Sequence, residues 1–109
     1  MITLIVVTKH INGITVKGHA GYAEAGKDIV CAAISTLTET LIESLTQLSL
    51  TDIKAVTADG EASVRYKSEL TDTAELLISS FFIGCEGVAD TYPNHVKVES
   101  VKEFLKPKV

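Results

Sequence analysis

The sequence predicts an α+β domain in which two helices pack on one face of a mostly antiparallel sheet. Two turn signals, Asn12-Gly13 and Asp59-Gly60, each separate two short runs rich in β-branched or alternating residues, a pattern typical of β-hairpins. Two longer runs repeat apolar residues every three or four positions, which indicates amphipathic helices. Because strands come in hairpins and helices are few, the order ββαββαβ favours antiparallel pairing.

The first half of the chain supplies a hairpin and a long helix. One strand is predicted over residues 2–8, and its partner over 14–17 ends at Gly18. A helix is predicted from Asp28 to about Leu50, with Asp28 as its N-cap, because a carboxylate can accept the free N–H groups of the first turn. Its apolar stripe recurs at helical spacing: Val30, Ile34, Leu37, Leu41, Leu45 and Leu48.

The second half repeats this arrangement and adds a final strand. Strands are predicted over residues 53–58 and 61–67. A second helix is predicted from Asp72, with Glu75 completing a capping box, and its apolar stripe reaches Val88. The run Tyr92-Pro93-Asn94 interrupts the chain before a last strand over 95–101. The tail, residues 103–109, is expected to be loose.

Composition excludes several classes of protein. A chain of 109 residues fits a single domain, residues 1–109, which can bury a core without disulfides or metals. The net charge of −4 argues against nucleic acid as the main partner. No cofactor or metal is expected, since no second close His or Cys completes a ligand pair. The apolar N-terminus is too short for a signal peptide, and no stretch approaches a membrane span, so a cytoplasmic protein with reduced thiols is predicted.

One stretch, GHAGYAEAGKDIVCAAIS from Gly18 to Ser35, combines residues that can carry chemistry. Cys31 falls in the first helical turn, where free N–H groups and the positive end of the helix dipole lower a thiol's pKa and favour thiolate. An ionised Asp28 nearby works against this. His19 follows a strand and can serve as base and acid toward a cysteine. The alternative is a glycine-rich loop with an incidental histidine and a half-buried cysteine.

The remaining reactive residues have structural interpretations. Cys85 lies on the apolar stripe of the second helix and is expected in the core. His10 and His95 are expected to be solvated. The pattern Gly18-His19-Ala20-Gly21 matches a GxxG loop of nucleic-acid modules, but the chain is acidic and the loop lacks basic residues. The glycines instead give the loop the freedom to act as a lid.

The stretch resembles the signature of the ribosomal-processing cysteine proteases of bacteria. Their pattern is Gly-His-Ala-Gly, a few residues, then Gly-x-Asp-Ile-Val-Cys-Ala-Ala-x-Ser, and every position is met. The resemblance implies a cysteine endopeptidase that removes a short N-terminal extension, with paired phenylalanines near the cleaved bond, from large-subunit ribosomal protein L twenty-seven. It implies Cys31 as nucleophile and His19 as general base and acid, with Asp28 and Ser35 orienting the pair.

The resemblance also implies a homodimer and a loop, residues 20–27, that orders over substrate. The substrate-loop residues carried over in this way are Gly18, Ala20, Gly21, Tyr22 and Gly26. Two alternatives come from the residues themselves. One is a non-enzymatic α+β binding module for ribosomal or regulatory partners, and the other is a thiol redox sensor that uses Cys31.

Overall fold

The computed structural model describes residues 4–24 and 26–101, which form seven elements in the predicted order. These elements are β1 (Ile5–His10), β2 (Gly13–Lys17), α1 (Ile29–Leu48), β3 (Ile53–Ala58), β4 (Glu61–Tyr66), α2 (Asp72–Thr91) and β5 (Val96–Ser100). The α+β class and the order ββαββαβ are confirmed. The start of the predicted first strand and the predicted loose tail fall outside the described residues. The assignment of all of 1–109 to one protease domain stays a prediction.

The five strands form one mixed sheet in the order β3-β4-β2-β1-β5. Three pairings are antiparallel, and β1 and β5 run parallel, so the mostly antiparallel sheet is confirmed. Paired residues share a face, so the apolar positions of neighbouring strands add up to one buried surface. The opposite face carries the exposed ion pairs Lys17–Glu61 and Lys97–Glu99, so both helices must cover the apolar face.

Each helix contributes one buried stripe to the core. The buried side chains follow helical spacing: Val30, Ile34, Thr38, Leu41 and Leu45 on α1, and Ala74, Ile78, Phe81, Phe82 and Cys85 on α2. The buried hydroxyl of Thr38 donates to the Ile34 carbonyl at 2.7 Å and is therefore satisfied. Each large apolar side chain buried here contributes about 1.5–3 kcal/mol to folding.

Helix α1 corrects one expectation. It has 20 residues and enough apolar character to cross a membrane by length and composition alone, whereas the sequence was expected to contain no such stretch. Its most buried side chains, Val30, Ile34 and Leu45, belong to the same core cluster as the sheet residues Ile5 and Val7. We therefore interpret α1 as the core helix of this domain.

The first hairpin turn differs from the prediction by one residue. The turn residues are Ile11 and Asn12, whereas Gly13 belongs to β2 and pairs with His10. A Cβ atom on Gly13 would collide with the backbone carbonyl oxygen of Val64 on β4. Glycine is thus needed there for close approach of two strands, not for the turn. In the second hairpin, Asp59-Gly60 does form the turn, and Gly60 adopts a φ of +73°.

The helix ends confirm one predicted cap and overturn another. Asp28 caps α1 through bonds from the N–H groups of Val30 and Cys31. The chain leaves α1 at Leu50, whose φ of +62° is incompatible with a continuing helix. The predicted capping box of Asp72 and Glu75 is wrong. The cap of α2 is Thr71, one residue earlier, because its hydroxyl is in reach of the Ala74 N–H at 3.1 Å.

Candidate active site

His19 is separated from the end of β2 by Gly18 and lies against the turn between β3 and β4. The chain turns at Gly18, with a φ of +105°, and the Gly18 N–H donates to the Gly60 carbonyl at 2.8 Å. A Cβ atom on Gly60 would lie 2.6 Å from Nε2 of His19 and within 3.3 Å of two further ring atoms. The imidazole therefore rests on the bare backbone of Gly60, which leaves it exposed on its other side.

Cys31 lies in the first turn of α1 with its side chain half-buried. Its sulfur accepts a hydrogen bond from the backbone N–H of Ala20 at 3.3 Å. Ala20 directly follows His19 in the chain, so this bond ties the segment carrying the histidine to the helix carrying the cysteine.

The carboxylate of Asp28 joins the helix to the preceding loop. Oδ1 accepts from the N–H groups of Val30 and Cys31, and Oδ2 accepts from those of Tyr22 and Ala23, at 2.9–3.3 Å. Burial alone raises the pKa of Asp28, but the backbone donors, Cys31 first, outweigh it and bring that pKa below its ordinary value. Asp28 is thus a cap for both helix and loop, and within the described residues it makes no hydrogen bond to His19.

The expected lowering of the Cys31 pKa is wrong. Burial raises the pKa of the thiol most, the Ala20 N–H lowers it, and the charge of Asp28 and a hydrogen bond with it raise it again, so the net shift is upward. The first physical reason is burial, which disfavours the charged thiolate, and the second is the Asp28 carboxylate, which opposes a further negative charge at the start of α1. Both effects favour the neutral thiol in the resting protein.

His19 and Cys31 line one groove that consists of two adjoining cavities. An inner cavity of about 230 Å³ runs between α1 and the second hairpin, and an outer one of about 610 Å³ lies under the glycine-rich loop. Both are lined by His19, Cys31, Ser35 and Asp59. Ser35, one turn after Cys31, faces the groove as expected, and its role stays a prediction. Asp59 was missed, because the sequence marks it only as a turn residue.

Side chains just before β5 hold the glycine-rich loop in place. Ala20 is 0% exposed, and its carbonyl oxygen lies 2.7 Å from Nδ1 of His95. Tyr22 meets the rings of Tyr92 and His95 edge to face, with centroids 5.2 and 5.5 Å apart. His95, expected to be a solvated loop or strand-end residue, does lie directly before the start of β5, but these contacts leave it half-buried. The predicted mobility over residues 20–27 stays a prediction, and that range includes residue 25, outside the described residues.

Other chemistry has little support in the described part of the chain. Cys85 is 0% exposed, as expected of a core residue, and burial followed by the charge of Glu86 raises its pKa to about 12. No group of three or more metal-binding side chains occurs within residues 4–24 and 26–101. Of the two cysteines, Cys31 is the one that lines the groove.

An exposed histidine and a half-buried cysteine at a helix N-terminus, facing one groove of a small α+β domain, are the features of a cysteine protease. The comparisons with known proteins agree. The model of the family Cysteine protease Prp matches residues 1–97, and the chain belongs to this family.

One relative supports this assignment, and solved structures share the fold. The ribosomal processing cysteine protease Prp of Mycoplasma genitalium is 32% identical over 90 residues, which cover 80% of this chain and 86% of the relative. Among solved structures, Staphylococcus aureus Prp with a covalently linked product peptide matches with a TM-score of 0.85 at 20% identity, covering 90% of this chain and all of the other. A Streptococcus mutans protein matches at 27% identity with a TM-score of 0.63, covering 91% and 97%.

Proposed function

We propose that this protein is a cytoplasmic cysteine endopeptidase that removes a short N-terminal extension from large-subunit ribosomal protein L twenty-seven and thereby supports ribosome assembly. The observation that carries the proposal is that His19 and Cys31 line the same groove in a member of the Prp family. The Mycoplasma genitalium relative is named a ribosomal processing protease, and Staphylococcus aureus Prp has been solved with substrate and product peptides.

In the first half of the reaction, Cys31 is the nucleophile and His19 the base. Because the resting thiol is neutral, its proton has to move to the imidazole as the sulfur attacks the scissile carbonyl carbon. The new C–S bond gives a tetrahedral oxyanion. When the C–N bond breaks, the imidazolium of His19 gives its proton to the leaving amine and an acyl-cysteine remains.

In the second half, water hydrolyses the thioester. His19 accepts a proton from the water as its oxygen bonds to the acyl carbon, and the C–S bond then breaks. The proton returns from His19 to the sulfur, so the free thiol and the imidazole are restored. The released carboxylate is the new C-terminus of the extension.

The donors for the oxyanion are assigned to the loop rather than to α1. The N–H groups of Val30 and Cys31 are bound to the Asp28 carboxylate, and that of Ala32 is bound to the Asp28 carbonyl. The N–H groups of Val30, Cys31 and Ala32 are therefore already engaged, whereas Gly21 and Gly26 of the loop line the outer cavity together with Cys31. Loop closure over a bound peptide supplies these amides in this proposal.

The inner cavity has a mixed lining. Its apolar residues include Ile5, Val16 and Ile34, and its carboxylates are Glu39, Asp59 and Glu61. The apolar part of the lining is compatible with the paired phenylalanines of the proposed extension.

The proposed active species is a homodimer. Leu76 and Ile83 are 70% and 74% exposed and lie seven residues apart on α2, which gives this helix an apolar outer surface suited to a second copy. Light scattering on the wild type and on Ile83→Asp checks this point. A monomeric wild type at micromolar concentration contradicts it.

The test of the activity uses a peptide that carries the extension and the first residues of the mature ribosomal protein. Wild type is expected to cleave it at one bond, Cys31→Ala to bind without cleavage, and His19→Ala to lose about 10²- to 10⁴-fold in rate. Cys85→Ala is the matched control, since that cysteine is buried away from the groove and should keep the activity. Equal cleavage by Cys31→Ala refutes the nucleophile, and binding without cleavage by wild type favours a binding module.

A further inference from the structure

We propose that His95 is a positioning residue of the active site, which holds the backbone at Ala20 against Cys31 from a position 75 residues further along the chain. The inference rests on the proposed function, because it assigns a role at the same groove. The proposed role is structural support of the site, because residues near the C-terminal end of the domain hold the loop that carries Ala20.

The contacts form a continuous path from His95 to the sulfur. Nδ1 of His95 lies 2.7 Å from the carbonyl oxygen of Ala20. A carbonyl can only accept, so Nδ1 carries the proton and donates it. The N–H of the same Ala20 donates to the Cys31 sulfur at 3.3 Å. One buried residue is therefore bound through its carbonyl to His95 and through its N–H to the nucleophile.

His95 is itself fixed by the fold. Its N–H donates to the Tyr92 carbonyl at 2.9 Å, and its carbonyl accepts from the Ile5 N–H at 3.0 Å at the start of the parallel pairing of β1 and β5. The ring of His95 also meets Tyr22 edge to face. The imidazole is thus attached to the rigid sheet, which makes it a suitable anchor for a loop rich in glycine.

Holding Ala20 positions both groups of the proposed pair. Ala20 directly follows His19, so its displacement also moves the segment that carries the proposed base. Its N–H lowers the pKa of Cys31, because a donor stabilises thiolate. Release of Ala20 should therefore make the thiol less acidic and misalign the pair.

Two substitutions separate the hydrogen bond of His95 from its ring. His95→Asn keeps an N–H donor near the position of Nδ1 and loses the ring, whereas His95→Phe keeps the ring contact with Tyr22 and loses the donor. We expect His95→Phe to lower kcat roughly 10- to 100-fold with a smaller change in KM, because misplacement of catalytic groups reduces the rate of the chemical step. His95→Asn is expected to stay within about threefold of wild type, since the donor is retained.

The second measurement follows the reactivity of the Cys31 thiol with pH and needs no peptide substrate. Iodoacetamide alkylation of Cys31 is followed against pH by mass spectrometry. The profile of His95→Phe should move to higher pH, while that of His95→Asn should stay near wild type. Both substitutions leave in place the titratable groups that line the groove: His19, Asp28, Glu39, Asp59 and Glu61.

The design detects a folding failure directly. Cys85 is 0% exposed, so a second alkylation reports unfolding of the variant. His10→Phe is the matched control, a histidine on the outer face of β1 bonded to Thr15, and it should leave the alkylation profile and kcat unchanged. A singly alkylated His95→Phe with wild-type profile and kcat overturns the proposal, as does equal impairment of the Asn and Phe variants. A shifted profile in a protein that cleaves no peptide supports the role of His95 and refutes the proposed function.

Discussion

The carboxylate of Asp28 accepts the backbone N–H of Cys31 at 2.9 Å, so the helix cap and the proposed nucleophile are in direct contact. Through its other oxygen the same carboxylate binds the loop at Tyr22 and Ala23. One side chain thus stabilises the helix start and the loop while its charge opposes formation of the thiolate. Stability and reactivity should therefore respond in opposite directions when that charge is removed.

The first prediction concerns the stability that Asp28 provides. Asp28→Ala removes the cap of α1 and the acceptor for two loop N–H groups, so the free energy of unfolding should fall by about 1–2 kcal/mol. Asp28→Asn retains one carbonyl oxygen and should lose less. Urea unfolding at pH 7 measures both, and an Ala variant as stable as wild type contradicts the capping role.

The second prediction is the pH dependence of that stability. The pKa of Asp28 is lower in the folded protein than in the unfolded chain. Its contribution is therefore fully present above the unfolded pKa and is lost as the pH falls through the folded one. The stability difference between wild type and Asp28→Asn should narrow as unfolding is measured from pH 7 toward pH 3. If the stability difference does not change with pH, the charge of Asp28 does not contribute to the stability of the fold.

The third prediction concerns the thiol. Asp28→Asn removes a negative charge that raises the pKa of Cys31, so its alkylation profile should move to lower pH. The alkylation profile of His95→Phe is expected to move the other way, to higher pH. The two variants together therefore test what raises and what lowers the pKa of Cys31. A profile that moves to higher pH in Asp28→Asn rules out the assigned effect of the carboxylate.

The fourth prediction concerns the turn beneath the imidazole. Gly60→Ala places a methyl group 2.6 Å from Nε2 of His19 and forces an alanine to a φ of +73°. We expect a loss of stability of about 1–2 kcal/mol from the backbone and a fall in kcat of roughly 10²-fold from displacement of the ring.

Gly60→Asn separates these two effects. Asparagine tolerates positive φ better than alanine, yet its Cβ meets the same ring, so this variant should keep more stability while losing activity. Full activity in Gly60→Asn means that the ring moves aside without consequence.

The fifth prediction compares two glycines on α2. A Cβ on Gly87 meets nothing within 4 Å, so Gly87→Ala should raise the free energy of unfolding by about 0.5–1 kcal/mol through helix propensity alone. A Cβ on Gly84 would lie 2.9 Å from Cδ2 of Leu37 where α2 crosses α1, so Gly84→Ala should gain less. Thermal unfolding of the two single variants measures both changes in stability. Equal increases in the free energy of unfolding would show that the Leu37 side chain moves aside at no cost.

Much of the fold could be predicted because its signals are local. The cap at Asp28 and the apolar stripe of α1 need only helical geometry. The cap is confirmed, and the stripe is confirmed as far as Leu45, whereas Leu48 is exposed. The turn at Asp59-Gly60 was predicted correctly from residue type. The turn predicted at Asn12-Gly13 is shifted by one residue, because Gly13 is required by the close approach of the Val64 carbonyl on the neighbouring strand β4. Which strand lies beside β2 depends on the order of strands in the sheet, and a short segment of sequence does not specify that order.

The candidate site divides in the same way. Cys31 and His19 stand out through residue type, helix position and the resemblance of the surrounding stretch. The direction of the Cys31 pKa shift was missed, because burial of a sulfur depends on what packs over it. Asp59 and His95 were missed as groove and loop partners because they come from distant parts of the chain.

The sequence by itself determined the elements and the cap of α1, since hydrogen bonding and apolar periodicity act over a few neighbouring residues. It pointed to His19 and Cys31 through residue type and through the resemblance of the stretch that contains them. The tertiary structure alone decided which turn supports His19, which histidine holds Ala20, and how acidic Cys31 is. These properties depend on contacts between distant segments and on exclusion of water, which exist only once helices and sheet pack together.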